Sequence, residues 1–186
     1  MKNNKDSRRN FIKKSIVLPS IMILPRHVLG GKGYTSPSDK LNIAGIGVRK
    51  WGMGAGNLSQ CETENIVALC DVDQKQAAPT YKKYPKAKVY KDFRLMLENQ
   101  KDIDAVIVAT PDHNHAVITM LAMNMGKHVY CQKPLTHTVY EARMITEAAK
   151  KYKVQTQMGN QGRSSDEIRS LKEWIDVPFE FEPYTF

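Results

Sequence analysis

The chain has 186 residues and a formal net charge of +9, enough for one domain of ordinary size and a tail. Residues 1–40 carry nine Lys/Arg and two Asp/Glu, whereas residues 41–186 carry nineteen and seventeen, so the excess charge lies mainly at the amino terminus. A nucleic-acid-binding protein carries its positive charge as a patch on the folded domain, and this distribution therefore argues against nucleic-acid binding.

The first thirty residues have the order of parts found in an export signal. Arg8 and Arg9 lie in the stretch SRRNFIKK, and the nine-residue apolar run 16–24 follows. This run is too short for a membrane anchor, which needs about twenty apolar residues. The segment resembles a twin-arginine (Tat) signal, which implies export of the folded protein to the periplasm by the Tat machinery. The alternative is a disordered basic tail, and in either case residues 31–40 are expected to form a linker.

From residue 41 onward, short β-type runs alternate with helical patterns. The Val/Ile-rich runs predict strands near residues 41–47, 65–71, 87–90, 104–110, 128–131 and 154–158. The intervening and following segments predict helices near 53–60, 74–84, 92–99, 114–125, 137–152 and 164–175. Asp92 is the expected N-cap of the third helix, and Gly126 is expected to end the fourth. In that fourth helix Val117, Leu121 and Met125 recur at four-residue spacing, on one face.

This alternation predicts an α/β fold with a doubly wound parallel sheet of the Rossmann type over residues 41–175. Short connections between strand and helix imply right-handed crossovers and a parallel sheet. The run 103–109 is almost continuously apolar, as in a strand covered on both faces. Residues 176–186 lose the pattern and are expected to form an irregular tail.

The first strand runs into a glycine-rich segment, GIGVRKWGMG at residues 45–54. Such a turn between strand and helix allows the backbone to approach a diphosphate. Gly45, Gly47 and Gly52 are the candidate cofactor-binding glycines. Arg49 stands where the usual fingerprint has a further glycine, which leaves three explanations: an insertion that brings Gly52 or Gly54 to the phosphates, compensation by the cations Arg49 and Lys50, or impaired cofactor affinity.

The second predicted strand ends in Asp71, twenty-four residues after Gly47. A carboxylate there accepts hydrogen bonds from the adenosine ribose. Val72 follows, with no adjacent arginine to receive a 2′-phosphate, so the pattern favours NAD over NADP.

Several motifs in this order make the chain recognisable. They are the glycine turn, CDVD at residues 70–73, ATPDHNH at 109–115 and GKHVYCQKPL at 126–135. Over about residues 41–175 the chain resembles the glucose–fructose oxidoreductase / inositol dehydrogenase / MocA-like (Gfo/Idh/MocA) family. The last motif resembles the Glu-Lys-Pro signature of that family, with Gln132 in place of glutamate.

The resemblance implies roles for individual residues. Asp71 would hold the adenosine ribose, Thr110 and Pro111 would lie along the cofactor with His115 close by, and Gln132 would bond the nicotinamide ribose. Lys133 would face both nicotinamide and substrate as the catalytic residue, where an ammonium group can stabilise alkoxide charge or assist a proton transfer.

Other chemistry is not expected. Cys61, Cys70 and Cys131 are widely spaced, with no metal-ligand pattern, and core packing is the favoured role for Cys70 and Cys131. His113 and His115 are separated by one residue in a loop, a pattern that is usually structural, so no metal site is predicted.

The resemblance therefore implies the NAD-binding module of an exported oxidoreductase that acts on a sugar- or polyol-type substrate by hydride transfer. Family members continue into a second, β-rich domain that supplies substrate and oligomer contacts. We expect this chain to lack that domain and to be inactive alone. The alternatives are a module of an NAD-dependent glycoside hydrolase or epimerase, and a non-catalytic remnant.

Overall fold

The computed structural model describes residues 35–176. The chain divides into two units, Met1–Lys40 and Leu41–Phe186. In the first unit, the described residues contain one 3-10 turn, Pro37–Asp39. The predicted signal peptide, residues 31–34 of the predicted linker and residues 177–186 of the predicted tail lie outside the described part, so these remain predictions.

The second unit alternates strands with helices. In chain order the elements are β1 (Asn42–Ile46), α1 (Met53–Ser59), β2 (Asn65–Cys70), α2 (Gln74–Lys83), β3 (Lys88–Tyr90), α3 (Phe93–Asn99), β4 (Ala105–Val108), α4 (His115–Asn124), β5 (His128–Gln132), α5 (Val139–Tyr152), β6 (Thr156–Gly159) and α6 (Asp166–Asp176). Each corresponds to a predicted strand or helix, with ends displaced by at most two residues. None of the helices within residues 35–176 is both long and apolar enough to cross a membrane.

The strands form one parallel sheet in the order β3-β2-β1-β4-β5-β6, which confirms the predicted doubly wound architecture. β1 is central and pairs with both β2 and β4, so that Ile46 stands opposite Cys70 on one side and Val108 on the other. The strand order reverses between β1 and β4. The loops that leave these two strands turn to opposite faces of the sheet and open a crevice at its carboxyl edge.

Two apolar clusters cover the sheet because its central strands carry apolar side chains on both faces. Successive side chains of a strand point to opposite faces. Ala44 and Ile46 belong to a cluster that also contains Met96 of α3 and Met123 of α4. Ile43 belongs to a second cluster, with Leu58 of α1 and Ala77 of α2.

Helix ends are fixed by local interactions, as the sequence predicts. The Asp92 carboxylate accepts a hydrogen bond from the Arg94 backbone N–H at 2.8 Å and caps α3. Gly126 follows α4 with φ of +73°, in the left-handed region that favours glycine. These ends set the lengths of the helices and hence the placement of the loops between them.

Candidate functional site

A cavity of about 270 Å³ opens at the carboxyl edge of the sheet, beside the ends of β1, β2 and β4. Gly47, Asp71, Thr110 and Pro111 all line it. Four of the predicted cofactor-binding residues, from three separate motifs, are therefore brought together. A larger cavity of about 610 Å³ lies beside Asn42 and Asp102, at the amino edge. Doubly wound sheets bind ligands at the carboxyl edge. The cavity of about 270 Å³ is therefore the candidate site.

The turn after β1 depends on two glycines that allow close backbone packing. Gly47 has φ of +82°, and a Cβ at this position would lie 2.5 Å from the carbonyl oxygen of Ala109. A Cβ at Gly54, in α1, would overlap the carbonyl oxygen of Gly47. The turn, the start of α1 and the end of β4 thus pack backbone against backbone, with Gly54 serving this packing.

The residues between Gly47 and α1 form a turn that lies against α2. The Gly52 N–H donates to the Arg49 carbonyl at 2.9 Å, and the Lys50 N–H donates to the Gln76 carbonyl at 3.1 Å. Gly52 is the N-cap of α1, whereas Gly45 lies inside β1, where Val48 and Leu58 fill the space that its Cβ would need. Gly45 therefore serves packing inside β1, Gly52 begins α1, and Gly47 lines the cavity.

Arg49, at the irregular position of the fingerprint, lines the same cavity as Gly47 and Asp71. Lys50 points elsewhere, with its ammonium group 4.6 Å from the centre of the Trp51 ring. The cavity thus combines a cation on one wall with a carboxylate on another.

The Asp71 carboxylate is held in place by its own loop. Asp71 is 9% exposed, and its Oδ1 accepts a hydrogen bond from the Asp73 N–H at 2.9 Å. No hydrogen-bond donor within residues 35–176 reaches Oδ2, which remains available to a ligand hydroxyl. Burial, together with the neighbouring Asp71 charge, raises the pKa of Cys70 to about 12, so this thiol stays protonated.

Two polar atoms near the ends of β4 and β5 are buried without a partner in the described part of the chain. They are Oγ1 of Thr110 and Nε2 of Gln132. The Gln132 Oε1 accepts a hydrogen bond from the Lys133 N–H at 3.3 Å. Buried polar atoms are normally satisfied, so each of these two atoms has the capacity for a further hydrogen bond.

Lys133 follows β5 directly, and its side chain is exposed. The Lys133–Pro134 peptide bond is cis. β4 and β5 are adjacent, paired strands, and Val108 stands opposite Cys131. Thr110 and Lys133 therefore leave adjacent strands at the same edge.

His115 does not line the cavity, unlike Ala109, Thr110, Pro111 and Asn114 of the same motif. It is 1% exposed, and its ring nitrogens lie 2.6 Å from the Pro134 carbonyl oxygen and 2.9 Å from the Thr110 carbonyl oxygen. The resemblance placed His115 beside the cofactor, but its burial leaves both nitrogens to the protein backbone. No group of three His, Cys, Asp or Glu within residues 35–176 is arranged to hold a metal ion.

Sequence reasoning did not identify Gln76, Lys91 and Phe93 as residues that line the cavity. Lys91 and Phe93 follow β3, whose carboxyl end lies at the same edge as those of β1 and β2. The sequence shows that these residues follow predicted strands. It does not show the lateral order of the strands, which brings these residues to one cavity.

Residues 41–160 match the family described as "Oxidoreductase family, NAD-binding Rossmann fold". The described structure, with its parallel sheet and flanking helices, agrees with that description.

Among characterised proteins, the chain is similar to inositol 2-dehydrogenase of Salmonella typhimurium, with 32% identity over 143 residues, covering 74% of this chain and 41% of the relative. It is also similar to D-glucoside 3-dehydrogenase of Escherichia coli, with 37% identity over 86 residues, covering 46% and 24%. The chain spans about two fifths of the length of the inositol dehydrogenases that it matches.

Solved structures share the same fold. A probable dehydrogenase from Thermotoga maritima has 26% identity and a TM-score of 0.64, covering 73% of this chain and 40% of that one. A scyllo-inositol dehydrogenase from Lactobacillus casei, solved with NAD(H) and scyllo-inositol, has 23% identity and a TM-score of 0.65, covering 74% and 41%.

Proposed function

The chain belongs to the oxidoreductase family with an NAD-binding Rossmann fold, and from that membership we propose that it holds NAD(H) for hydride transfer to or from a sugar- or polyol-type substrate. The observation that carries this proposal is the convergence of Gly47, Asp71, Thr110 and Pro111 on one cavity where the strand order reverses. In doubly wound sheets this is where a dinucleotide lies.

The residues present fit the cofactor at both ends of this edge. At one end, Asp71 offers a carboxylate oxygen for the hydroxyls of the adenosine ribose. At the other, Thr110 Oγ1 and Gln132 Nε2 are buried and have no hydrogen-bond partner among residues 35–176. We assign the nicotinamide half to this second end. Gln132, with an amide in place of the family's glutamate, donates a hydrogen bond that a carboxylate does not.

We propose that Arg49 compensates for the glycine that it replaces. Arg49 lines the cavity, and a volume of about 270 Å³ remains beside it. A guanidinium group pairs with phosphate oxygens through two parallel hydrogen bonds. In this assignment Arg49 contributes charge to the diphosphate site, and Gly47 contributes close backbone approach.

NAD, when bound, supplies a nicotinamide ring that accepts or releases a hydride. The protein has to orient the ring and handle the proton of the substrate hydroxyl. Lys133 is exposed at the end of β5, and we propose that its ammonium group interacts with that oxygen and stabilises developing alkoxide charge. Lys133 is the proposed catalytic residue, and Thr110 and Gln132 are proposed to orient the cofactor.

A cyclic polyol or sugar is the substrate class that we propose. The support comes from the relatives, whose names record oxidation of inositol and of D-glucosides. The chain covers only part of each relative, and we propose that substrate contacts and any oligomer contacts come from sequence beyond this span. A transient oxidation within a glycosidase or epimerase would use the same cofactor site.

Titration of the 186-residue chain with NADH, followed by nicotinamide fluorescence, tests the cofactor proposal. Saturable binding is expected, with NADPH competing less well because the Asp71 carboxylate repels a 2′-phosphate. The absence of saturable binding at millimolar NADH would contradict the proposal.

We further propose that residues 1–30 direct export through the Tat pathway to the periplasm. The support is the order of the basic, apolar and glycine-containing segments around Arg8 and Arg9. Fusing residues 1–35 to a reporter should give export that is lost when both arginines are replaced by lysine. Undiminished export of the double variant would overturn this reading.

A further inference from the structure

His115 joins two segments that are distant in sequence. One ring nitrogen, Nδ1, lies 2.6 Å from the carbonyl oxygen of Pro134, in the loop after β5. The other, Nε2, lies 2.9 Å from the carbonyl oxygen of Thr110, after β4. Thr110 and Pro134 flank the place to which we assign the nicotinamide, and Pro134 directly follows Lys133.

The two carbonyl oxygens beside the ring, those of Pro134 and Thr110, are both acceptors, and this arrangement favours the protonated ring. A carbonyl oxygen cannot donate a hydrogen bond, so a neutral imidazole, which has one N–H, satisfies only one of the two contacts. The protonated ring has two N–H groups and satisfies both. Burial by itself lowers the pKa of His115, but interaction with the Cys131 side chain and the bonds to Pro134 and Thr110 outweigh burial and raise the pKa to about 9.

The surroundings of the ring contain few titratable groups. Among residues 35–176, Cys131 on β5 is the titratable side chain that interacts with it. In the 3-10 turn Asp112–Asn114, which precedes α4, Asp112 and His113 are exposed. On α5, Glu141 accepts hydrogen bonds from the N–H groups of His137 and Thr138. On the α3 side, Arg94 pairs with Asp92 at the surface, 2.8 Å apart.

We propose that His115 is a doubly protonated positioning residue, which donates from both ring nitrogens to fix the Lys133–Pro134 segment against the end of β4. The imidazolium thereby sets where Lys133 stands relative to Thr110. This inference deepens the proposed function and takes from it the identity of the bound ligand. It assigns to His115 an action through Lys133 and Thr110, with no contact to the cofactor.

Nitrogen-15 NMR of the imidazole groups in the wild-type chain tests the protonation state without any ligand. At pH 7 His115 should show two protonated ring nitrogens, and it should titrate near pH 9. The backbone amides of Lys133 and Leu135 should shift with the same midpoint. A His115 ring with one protonated nitrogen at pH 7, or amides that do not follow its titration, would overturn the proposal.

The NADH affinity of variants tests the consequence. From pH 7.5 to 9.5 the affinity of the wild-type chain should fall as His115 loses its proton. The glutamine amide of the His115→Gln variant can donate from its nitrogen end only. The NADH affinity of this variant should be about tenfold lower than that of the wild type at pH 7.5 and nearly constant over this pH range. His113→Asn, at an exposed histidine two residues away, should behave as the wild type. A His115→Gln variant with the wild-type pH profile would contradict the positioning role of His115.

The two experiments separate this inference from the proposed function. If the chain binds no NADH, the function fails and the imidazole spectrum still decides whether His115 is a double donor. If NADH binds and His115 is singly protonated, the positioning role alone fails.

Discussion

We propose that the choice between NAD and NADP depends on Asp71. Its Oδ1 is tied to its own loop by the Asp73 N–H, while no protein donor within residues 35–176 reaches Oδ2. A ribose with two free hydroxyls can donate to this carboxylate, whereas a 2′-phosphate places a second negative charge against it. The loop therefore presents a fixed charge that favours NAD.

Replacement of Asp71 by asparagine should weaken NADH binding about tenfold, because a charge-assisted hydrogen bond becomes a neutral one. The preference for NADH over NADPH should shrink in the same variant, since the repulsion of the 2′-phosphate is removed. Fluorescence titration with both cofactors measures the two effects. Asp102→Asn, an exposed carboxylate at the amino edge, is the matched control and should leave both affinities unchanged. Equal losses in the two variants would show that Asp71 has no specific role.

His115 should make the stability of the chain depend on pH. Its pKa is raised in the folded state to about 9, so its stabilising contribution is complete below the unfolded value of about 6.5 and is lost as the pH rises through 9. Between pH 6.5 and 8, before cysteines ionise in the unfolded chain, the free energy of unfolding should fall by about 1.5 kcal/mol. Denaturant titration of the wild type and of His115→Gln measures this. Equal pH slopes in the two proteins would refute the contribution of His115.

At the level of elements, α1 is held against β1 by a contact that only glycine permits. A Cβ at Gly54 would overlap the carbonyl oxygen of Gly47, whereas a Cβ at Gly56, two residues further along the same helix, meets nothing within 4 Å. The two glycines thus differ in environment while sharing a helix.

Gly54→Ala should therefore destabilise the chain by about 2 kcal/mol or more, because overlap with backbone forces α1 away from the turn. Gly56→Ala should stabilise it by about 0.5–1 kcal/mol, since alanine loses less conformational entropy in a helix. Denaturant unfolding measures both changes, and NADH titration shows whether displacement of the turn also weakens binding. A Gly54→Ala chain as stable as the Gly56→Ala chain would contradict this packing.

The order and type of these elements could be predicted from sequence because local signals agree with one another. Val/Ile runs such as 104–110 predicted strands, and the caps Asp92 and Gly126 predicted where helices begin and end. The pattern was less informative about faces. Val117, Leu121 and Met125 marked α4 as a helix, yet Val117 is 61% exposed and the buried residues are neighbours such as Ile118 and Met123. Which face is buried depends on the position of the sheet, which local spacing does not contain.

The candidate site was predictable where a motif carries its own geometry. The glycine turn, Asp71 and Thr110 each follow a strand, and parallel strands bring their carboxyl ends to one edge. The roles of Gly54 and His115 were not predictable in this way. Gly54 is needed because of the carbonyl oxygen of Gly47, and His115 is bonded to carbonyl oxygens in two other loops. Backbone carbonyls have no signature in the sequence.

On the scale of the whole molecule, the described residues of the unit Leu41–Phe186 leave apolar surface exposed. Helix α6 has no buried residue, and Ile168, Leu171, Trp174 and Ile175 are 43–69% exposed. Exposed apolar patches of this kind promote association in water. The chain should therefore scatter more light at high concentration than a variant with Leu171→Ser and Trp174→Ser. Lys172→Ser, on the same helix, is the control, and scattering unchanged by the apolar substitutions would contradict this expectation.

The reversal of strand order between β1 and β4 makes one edge of the molecule a cofactor site, provided that the turn accepts a diphosphate with Arg49 beside it. A crystal structure of the chain soaked with NAD measures this directly. The account predicts adenosine ribose on Asp71, the diphosphate beside Gly47 and Arg49, and nicotinamide near Thr110 and Gln132. An Arg49 side chain folded into the groove, with no dinucleotide bound there, would contradict it.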